Sequence, residues 1–454
     1  MASESKPARV RTPGLGPFPV WCVYNVVFAC GFLLAMPYFL SRMARRGGYR
    51  QHFMQRFGWY GRTLKARLRA RRRIWIHAVS VGEFFVAQRF MAEMRRLRPG
   101  TAFVVSVNTS TAYALAERRL EGEDVLIYFP FDFPTIVWRV LAAARPEALV
   151  FTEGELWPNL IRNAHARGIP CVLLNGRVSA RTYRGLKRTA FFTRRAMRAM
   201  DTFCVQTPQY AERLIDAGAA PERVVVCGNA KYDVAQVEPE SGPKAAAMLR
   251  AAGFRDADAV LLGGSTWPGE EAILLDLLVR LRPTHPDLRL VLVPRHAERR
   301  DEVLAAIARR SLRVLQRSRM PPDDAPLAGE PPDVLLVDTT GELKHLYARA
   351  TAIFVGKSLT QHGGQNIIEP AVYGGAVVTG PNMENFRDVT ADFLKAQAIL
   401  QVPDAAGLTA AVERLLSDEP LRRALGERAV AVVTRQRGAV RKTAELVLKA
   451  LPAG

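Results

Sequence analysis

IWIHAVSVGEFFVAQRFMAEMRRL, residues 74–97, decides the fold class. It opens with an apolar run of strand length, IWIHAVS (74–80). It closes with VAQRFMAEMRRL (86–97), whose apolar residues recur at helical spacing. The same alternation continues through TAFVVSVN (101–108), VLIYFP (125–130), ALVFT (148–152), PCVLLN (170–175), TFCVQT (202–207) and RVVVCG (223–228). Strands rich in Val and Leu that alternate with amphipathic helices predict a parallel sheet covered on both faces.

The pattern pauses at VEPESGPK (237–244), a linker by composition, and then restarts. VLLGGS (260–265), LRLVLVP (288–294), VLLVDT (334–339), AIFVG (352–356), AVVTG (376–380) and AILQV (398–402) read as strands. MPPDDAPLAGEPPD (320–333) reads as a surface loop, and the chain from Ala405 onward as helical. The expected architecture is therefore α/β, with two doubly wound domains facing a cleft. The boundaries fall at 1–47 (an N-terminal anchor), 48–236, 245–425 and 426–454 (a helical segment packing back on the first domain). Ligands of such sheets bind beyond the carboxyl ends of the strands.

Phe18–Leu40 contains no charged residue and is long enough to cross a bilayer core of about 30 Å as a helix. Trp21, Tyr24 and Tyr38 lie near its ends. Arg42, Arg45, Arg46 and Arg50 follow at once, placing the C-terminal side in the cytoplasm, although Lys6, Arg9 and Arg11 weaken the asymmetry. No small-residue cleavage site follows, as a signal peptide would require, but Pro37 interrupts the run, so a hairpin or a surface-lying segment stands beside a spanning helix. The first strand begins near Ile74, so neither wound domain is expected to need residues 1–47 for its core.

The chain has 454 residues and a net charge of +21, which favours an anionic partner: lipid, phosphorylated substrate or nucleic acid. Cys22, Cys30, Cys171, Cys204 and Cys227 form no CxxC pair, and the histidines show no HExxH spacing, so neither a disulfide framework nor a metal site is expected.

The chemistry-bearing residues sit at predicted strand ends. In HAVSVGEF (77–84), Gly82 suits a tight turn and Glu83 falls in the first turn of the next helix, where it either stabilises the terminus or serves as a general base. FTEGELWPNL (151–160) places Glu153 and Glu155 directly after a strand, and clustered carboxylates imply partners or a task. In NAKYD (229–233), Lys231 supplies a cation. In the second half, the amides of GGSTWPGEE (263–271), which includes Ser265, suit a phosphate. PRH (294–296) brings an arginine to a strand end. In GKSLTQHGGQNIIEPAVYG (356–374), Gly363 and Gly364 precede a helix start near Asn366, with Glu369 one turn on to take ribose hydroxyls.

WIHAVSVGE, TEGELWPNL, NGRVSARTY, GNAKYD, PRH, TTGEL and GGQNIIEPA recur in order across residues 74–390. In this the chain resembles the 3-deoxy-D-manno-octulosonic acid (Kdo) transferases of lipopolysaccharide assembly. The resemblance implies a GT-B fold of two Rossmann-like domains. It implies the donor CMP-Kdo, a lipid A precursor (lipid IVA) as acceptor, inversion at the anomeric carbon, and neither metal nor cofactor. By the same resemblance Glu83 matches the general base, and Glu153 and Lys231 match positions that support the transition state. Ser265 lies in the Gly-rich turn assigned above to the donor. Pro294 and Arg295, Thr340–Gly341–Glu342 and Asn366–Ile367–Ile368–Glu369 match the CMP-binding stretches. Gly154 departs from the family's usual TETELWPN. No role is carried onto Lys357, where many relatives have a small residue. The implied setting is the bacterial inner membrane, with a single-pass anchor, catalytic domains on the cytoplasmic side and anionic lipids as partners. Two rivals stand beside this reading. One is a GT-B enzyme using a UDP-sugar. The other is a tethered nucleic-acid-binding protein, for which neither a basic strip with interleaved aromatics nor a recognition helix is present, so no nucleic-acid partner is expected.

Overall fold

The computed structural model describes residues 18–46, 52–321 and 330–451. The chain forms two compact units, Met1–Val234 with Arg437–Gly454, and Ala235–Gln436. Each is built on a seven-stranded sheet whose neighbouring strands all pair in parallel.

The first sheet contains β1 (Ile74–Ala78), β2 (Phe103–Val107), β3 (Val125–Tyr128), β4 (Ala148–Thr152), β5 (Cys171–Gly176), β6 (Thr202–Val205) and β7 (Val224–Val226), in the order β3-β2-β1-β4-β5-β6-β7. Successive β1 side chains point to opposite faces, so Ile74 and Ile76 enter one core while Trp75 enters the other. Both faces are apolar because helices cover both. The last helix, Ala439–Ala450, belongs to this unit. Its Ala439, Val440, Ala444 and Val447 pack with Phe84, Val86 and Phe90 of the helix Val81–Leu97. Asp233 fixes its start, accepting from the amides of Gly438 (2.7 Å) and Val440 (3.0 Å).

The second sheet contains β8 (Ala259–Thr266), β9 (Leu288–Pro294), β10 (Val314–Gln316), β11 (Val334–Leu336), β12 (Ala352–Val355), β13 (Val377–Thr379) and β14 (Leu400–Gln401), in the order β10-β11-β9-β8-β12-β13-β14. In both sheets the strand order reverses beside the first strand, between β1 and β4 and between β8 and β12. Such reversals open a crevice at the carboxyl ends. The change of unit comes at Val234 and Ala235. The second half of VEPESGPK is not linker but the start of a helix, Ser241–Ala251, because Ser241 is fully buried with its Oγ at 2.8 Å from His345 Nδ1. Residues 322–329 of the predicted loop lie outside the described residues, as do Lys6, Arg9, Arg11 and Arg50.

The N-terminal helix, Phe18–Arg46, contains an apolar stretch long enough to cross a membrane, Val20–Phe39. One stripe of it, Trp21, Tyr24, Asn25, Phe28 and Phe32, packs on the first unit. Tyr24 Oη donates to Asp132 Oδ2 (2.9 Å), Asn159 Nδ2 donates to Asn25 Oδ1 (2.7 Å), and Phe28 and Phe32 meet Phe133 edge-on. Trp21 is 1% exposed. The expectation that the first unit does not need this segment therefore fails. Burying one such side chain contributes about 1.5–3 kcal/mol. The opposite stripe, including Val23, Val26, Val27, Leu33 and Leu34, is exposed.

Candidate active site

In the first unit, β1 runs into the helix Val81–Leu97, which Ser80 caps by accepting from the Glu83 amide (3.3 Å). Gly82 lies within that helix rather than in a turn, and a side chain there would meet only Ser80 Oγ at 4.0 Å. Glu83 reaches back across the first turn. Its Oε2 accepts from the Val79 amide (2.9 Å) and from Thr152 Oγ1 (2.6 Å), and its Oε1 accepts from Ser80 Oγ (3.2 Å). Thr152 is the last residue of β4, so this carboxylate laces together the two strands that diverge at the reversal. A carboxylate has about four acceptor positions. Among the described residues Glu83 has three hydrogen bonds, and one position on Oε1 is open.

Glu153 follows Thr152 in the left-handed region (φ 58°), where a residue with a side chain is strained. Its amide donates to Leu174 O and its carbonyl accepts from Arg177 N, both at 2.9 Å, which holds the turn. Lys231 Nζ lies 3.3 Å from Glu153 Oε1, so the two family-matched residues are brought together as an ion pair. At Gly154 a side chain would meet Arg177 O at 3.4 Å, so the departure from the family pattern answers no steric demand. Burial raises the Glu83 carboxyl above the usual range and the charge of Glu153 adds to this, while the hydrogen bonds from Thr152, Val79 and Ser80 oppose it. Burial also raises Glu155, reinforced by the charge of Glu83. Behind them His77 is buried neutral, its pKa lowered to about 3 by desolvation, with Nδ1 at 3.0 Å from Ser106 Oγ and its ring stacked on Phe129.

In the second unit the family-matched residues gather at the ends of β8, β9, β11 and β12. Ser265 lies at an irregularity of β8 in the left-handed region (φ 54°). The chain passes so close that a side chain on Gly356 would come 2.3 Å from Ser265 O, so only glycine fits there. Pro294 ends β9, and the Arg295 amide donates to Thr266 O (3.0 Å), leaving its guanidinium exposed. Thr340 and Gly341 are exposed, whereas Glu342 is engaged by Arg317 Nε (2.8 Å) and by Thr339 Oγ1. Asn366 Oδ1 accepts from the Ile368 amide and its Nδ2 donates to Glu369 Oε1, both at 3.0 Å, which leaves Glu369 Oε2 without a hydrogen bond among the described residues. Ile367 and Ile368 are fully buried, so a ligand would meet only their backbone. The helix begins at Ile368, later than the sequence suggested, and has five residues.

The Gly-rich turn differs from expectation in another respect. Glu270, in the first turn of the helix Glu270–Leu281, is fully buried. It accepts from the amides of Trp267 (2.9 Å), Lys357 (2.8 Å), Ser358 (2.9 Å) and Leu359 (3.0 Å). Of these four amides only that of Trp267 belongs to the Gly-rich turn, and it holds the protein's own carboxylate. The sequence reading missed both this staple and Thr152. For Thr152 a signal existed, a hydroxyl directly before the acidic pair. For Glu270 there was none, because three of its four partners lie far along the chain.

Residues 51–234 match the family described as 3-deoxy-D-manno-octulosonic-acid transferase (kdotransferase), and residues 333–432 match glycosyl transferases group 1. A 3-deoxy-D-manno-octulosonic acid transferase of Bordetella pertussis is 34% identical over 411 residues, covering 88% of this chain and 92% of the relative. The chain belongs to the Kdo transferase family. The Haemophilus influenzae member is 30% identical over 400 residues, covering 88% of this chain and 91% of its own. Among solved structures, a glycosyltransferase of Rickettsia africae is 12% identical with a TM-score of 0.56, covering 85% of this chain and 100% of that one. This likeness concerns the fold, and the two wound units are those of a GT-B glycosyltransferase.

Proposed function

We propose that this chain moves Kdo from CMP-Kdo to the lipid A precursor, lipid IVA, a tetra-acylated, doubly phosphorylated glucosamine disaccharide, in lipopolysaccharide core biosynthesis. The observation that carries the reading is Glu83: a half-buried carboxylate at a strand-end crevice, with one acceptor position open and its pKa raised. A raised pKa makes a stronger base once the carboxylate is ionised. Glu83 takes the proton of the acceptor hydroxyl as that oxygen bonds to the anomeric carbon of Kdo. The bond from that carbon to the phosphate oxygen breaks on the opposite side, which inverts configuration, and CMP departs with the bonding pair. Glu153 and Lys231 support the transition state beside the base. Arg295 and the segment Asn366–Glu369 hold CMP, with Glu369 on the ribose hydroxyls. Charge on the leaving phosphate is met by side chains, so no metal is required.

The exposed stripe of the N-terminal helix meets the bacterial inner membrane, with the catalytic units on the cytoplasmic side and anionic lipids drawn by the net charge of +21. Val26→Glu with Val27→Glu alters only that stripe. It is expected to weaken vesicle binding and leave the melting temperature unchanged, whereas unchanged vesicle binding would remove the anchor role. The activity itself is tested by mass spectrometry of the product formed from purified enzyme, lipid IVA and CMP-Kdo, with UDP-sugars in parallel. Turnover with a UDP-sugar and none with CMP-Kdo would overturn the donor.

A further inference from the structure

At the β8/β12 reversal four backbone amides, those of Trp267, Lys357, Ser358 and Leu359, are already spent on Glu270. Its helix adds a second acid there, Glu271, which is paired with Arg299 (2.6 Å). A phosphate at this crevice finds those four amides taken, which leaves a place for a cationic side chain. Lys357, directly after β12, is the cation that stands there. Its Nζ lies 4.3 Å from the centroid of the Trp267 ring, within cation–π range. Among the described residues it has neither a carboxylate partner nor a hydrogen-bond acceptor.

Three further features fix it in place. Trp267 is itself braced edge-on by His296 (5.3 Å), the residue after Arg295. On the other side, a side chain on Gly363 would come 3.4 Å from Lys357 Nζ, so the lysine lies along the glycine pair that leads to Asn366. Lys357 also holds a left-handed backbone (φ 56°) that a glycine would adopt freely. A lysine kept in that conformation, with its charge unanswered and its stem pinned between an indole and a glycine, is positioned for a ligand.

We propose that Lys357, held by Trp267, is the cation that grips the phosphate of the nucleotide donor at the β8/β12 crevice. The inference rests on the CMP-Kdo reading above. Its test is calorimetric titration of wild type, Lys357→Met, Lys357→Arg and Lys357→Gly with CMP and with cytidine, which lacks the phosphate. Lys357→Met is expected to weaken CMP at least about tenfold, the scale of one charge-assisted hydrogen bond, and to leave cytidine unchanged. Lys357→Arg should keep most of the affinity. Lys357→Gly separates binding from folding: it should melt no lower than wild type, since the left-handed backbone suits glycine, and still lose CMP as Lys357→Met does. Unchanged CMP affinity in Lys357→Met overturns the proposal, and so does an equal loss with cytidine, which would make the lysine a shaper of the pocket. If wild type binds UMP and not CMP, the donor reading fails, and the same variants titrated with UMP decide the role of Lys357. Wild type that binds neither nucleotide overturns both.

Discussion

Glu83 and Glu270 stand at matching places in the two units. Each lies in the first turn of the helix that follows the first strand of its sheet, and each ties that strand to the one beyond the reversal. Glu83 does so through the Thr152 hydroxyl, and Glu270 through the amides of Lys357, Ser358 and Leu359. The difference is saturation. Glu270 has four donors and no exposure, so its oxygens have nothing left to accept. Glu83 has three, two of them hydroxyls, and is partly open to solvent. The same residue at the same topological position is thus saturated in one unit and left with an open acceptor position in the other, which is what the proposed base requires. The surroundings follow suit. The first crevice gathers Glu83, Glu153 and Glu155 with Lys231, whereas the second presents Arg295 and Lys357 around a carboxylate already neutralised by amides.

The contrast breaks most visibly in rate. Glu83→Gln should lower transfer by roughly 10²–10⁴-fold, the usual loss of a general base, with CMP affinity and melting temperature unchanged. Near-normal turnover would return Glu83 to the rank of a staple. Glu270→Gln should do the opposite. Its amide NH₂ would face backbone N–H groups, leaving buried donors unsatisfied at a cost of about 3 kcal/mol, read as a lower midpoint in urea denaturation. A stable variant that is slow in transfer would show that Glu270 too takes part in the chemistry. Glu369→Ala sharpens the nucleotide side: CMP should bind at least about tenfold more weakly, from the loss of one charge-assisted hydrogen bond, and an unchanged titration removes the ribose contact. Thr152→Val is the mildest. Glu83 must be ionised to act, so the rate rises as pH climbs through its raised pKa and is lost as pH falls through it. The Thr152 hydrogen bond favours the ionised form, so its removal should move the acid limb of kcat/KM to higher pH. A limb that stays put would mean that Thr152 does not tune the base.

Much of the fold was legible because parallel strands buried on both faces leave Val- and Leu-rich runs. ALVFT (148–152) and LRLVLVP (288–294) coincide with β4 and β9 to the residue. Val314–Gln316 escaped notice, since an edge strand of three residues between charged neighbours leaves no periodic signal. The helix at Ser241 was hidden because its anchoring partners, His345 and Tyr373, lie more than a hundred positions away. The site divides the same way. Carboxylates at strand ends announce themselves, but whether one is saturated depends on residues such as Leu359, 89 positions from Glu270. A lysine standing where the backbone favours glycine is invisible until φ is known.

The return of the chain to its first unit has a consequence for synthesis. The second unit is an insertion in the first, and the helix Ala439–Ala450 that covers Phe84, Val86 and Phe90 leaves the ribosome only after the whole second unit. Until it arrives, the apolar side of the helix carrying Glu83 has no cover, and the latch at Asp233 has nothing to cap. Domains otherwise fold as they emerge, N-terminal first. Here the earlier half must wait, partly assembled, through the translation of the whole second unit. At about 5–20 residues per second that delay lasts on the order of ten seconds or more. Chains that stall before Ala439 should accumulate as sticky intermediates that attract chaperones, and not as enzymes missing a dispensable tail.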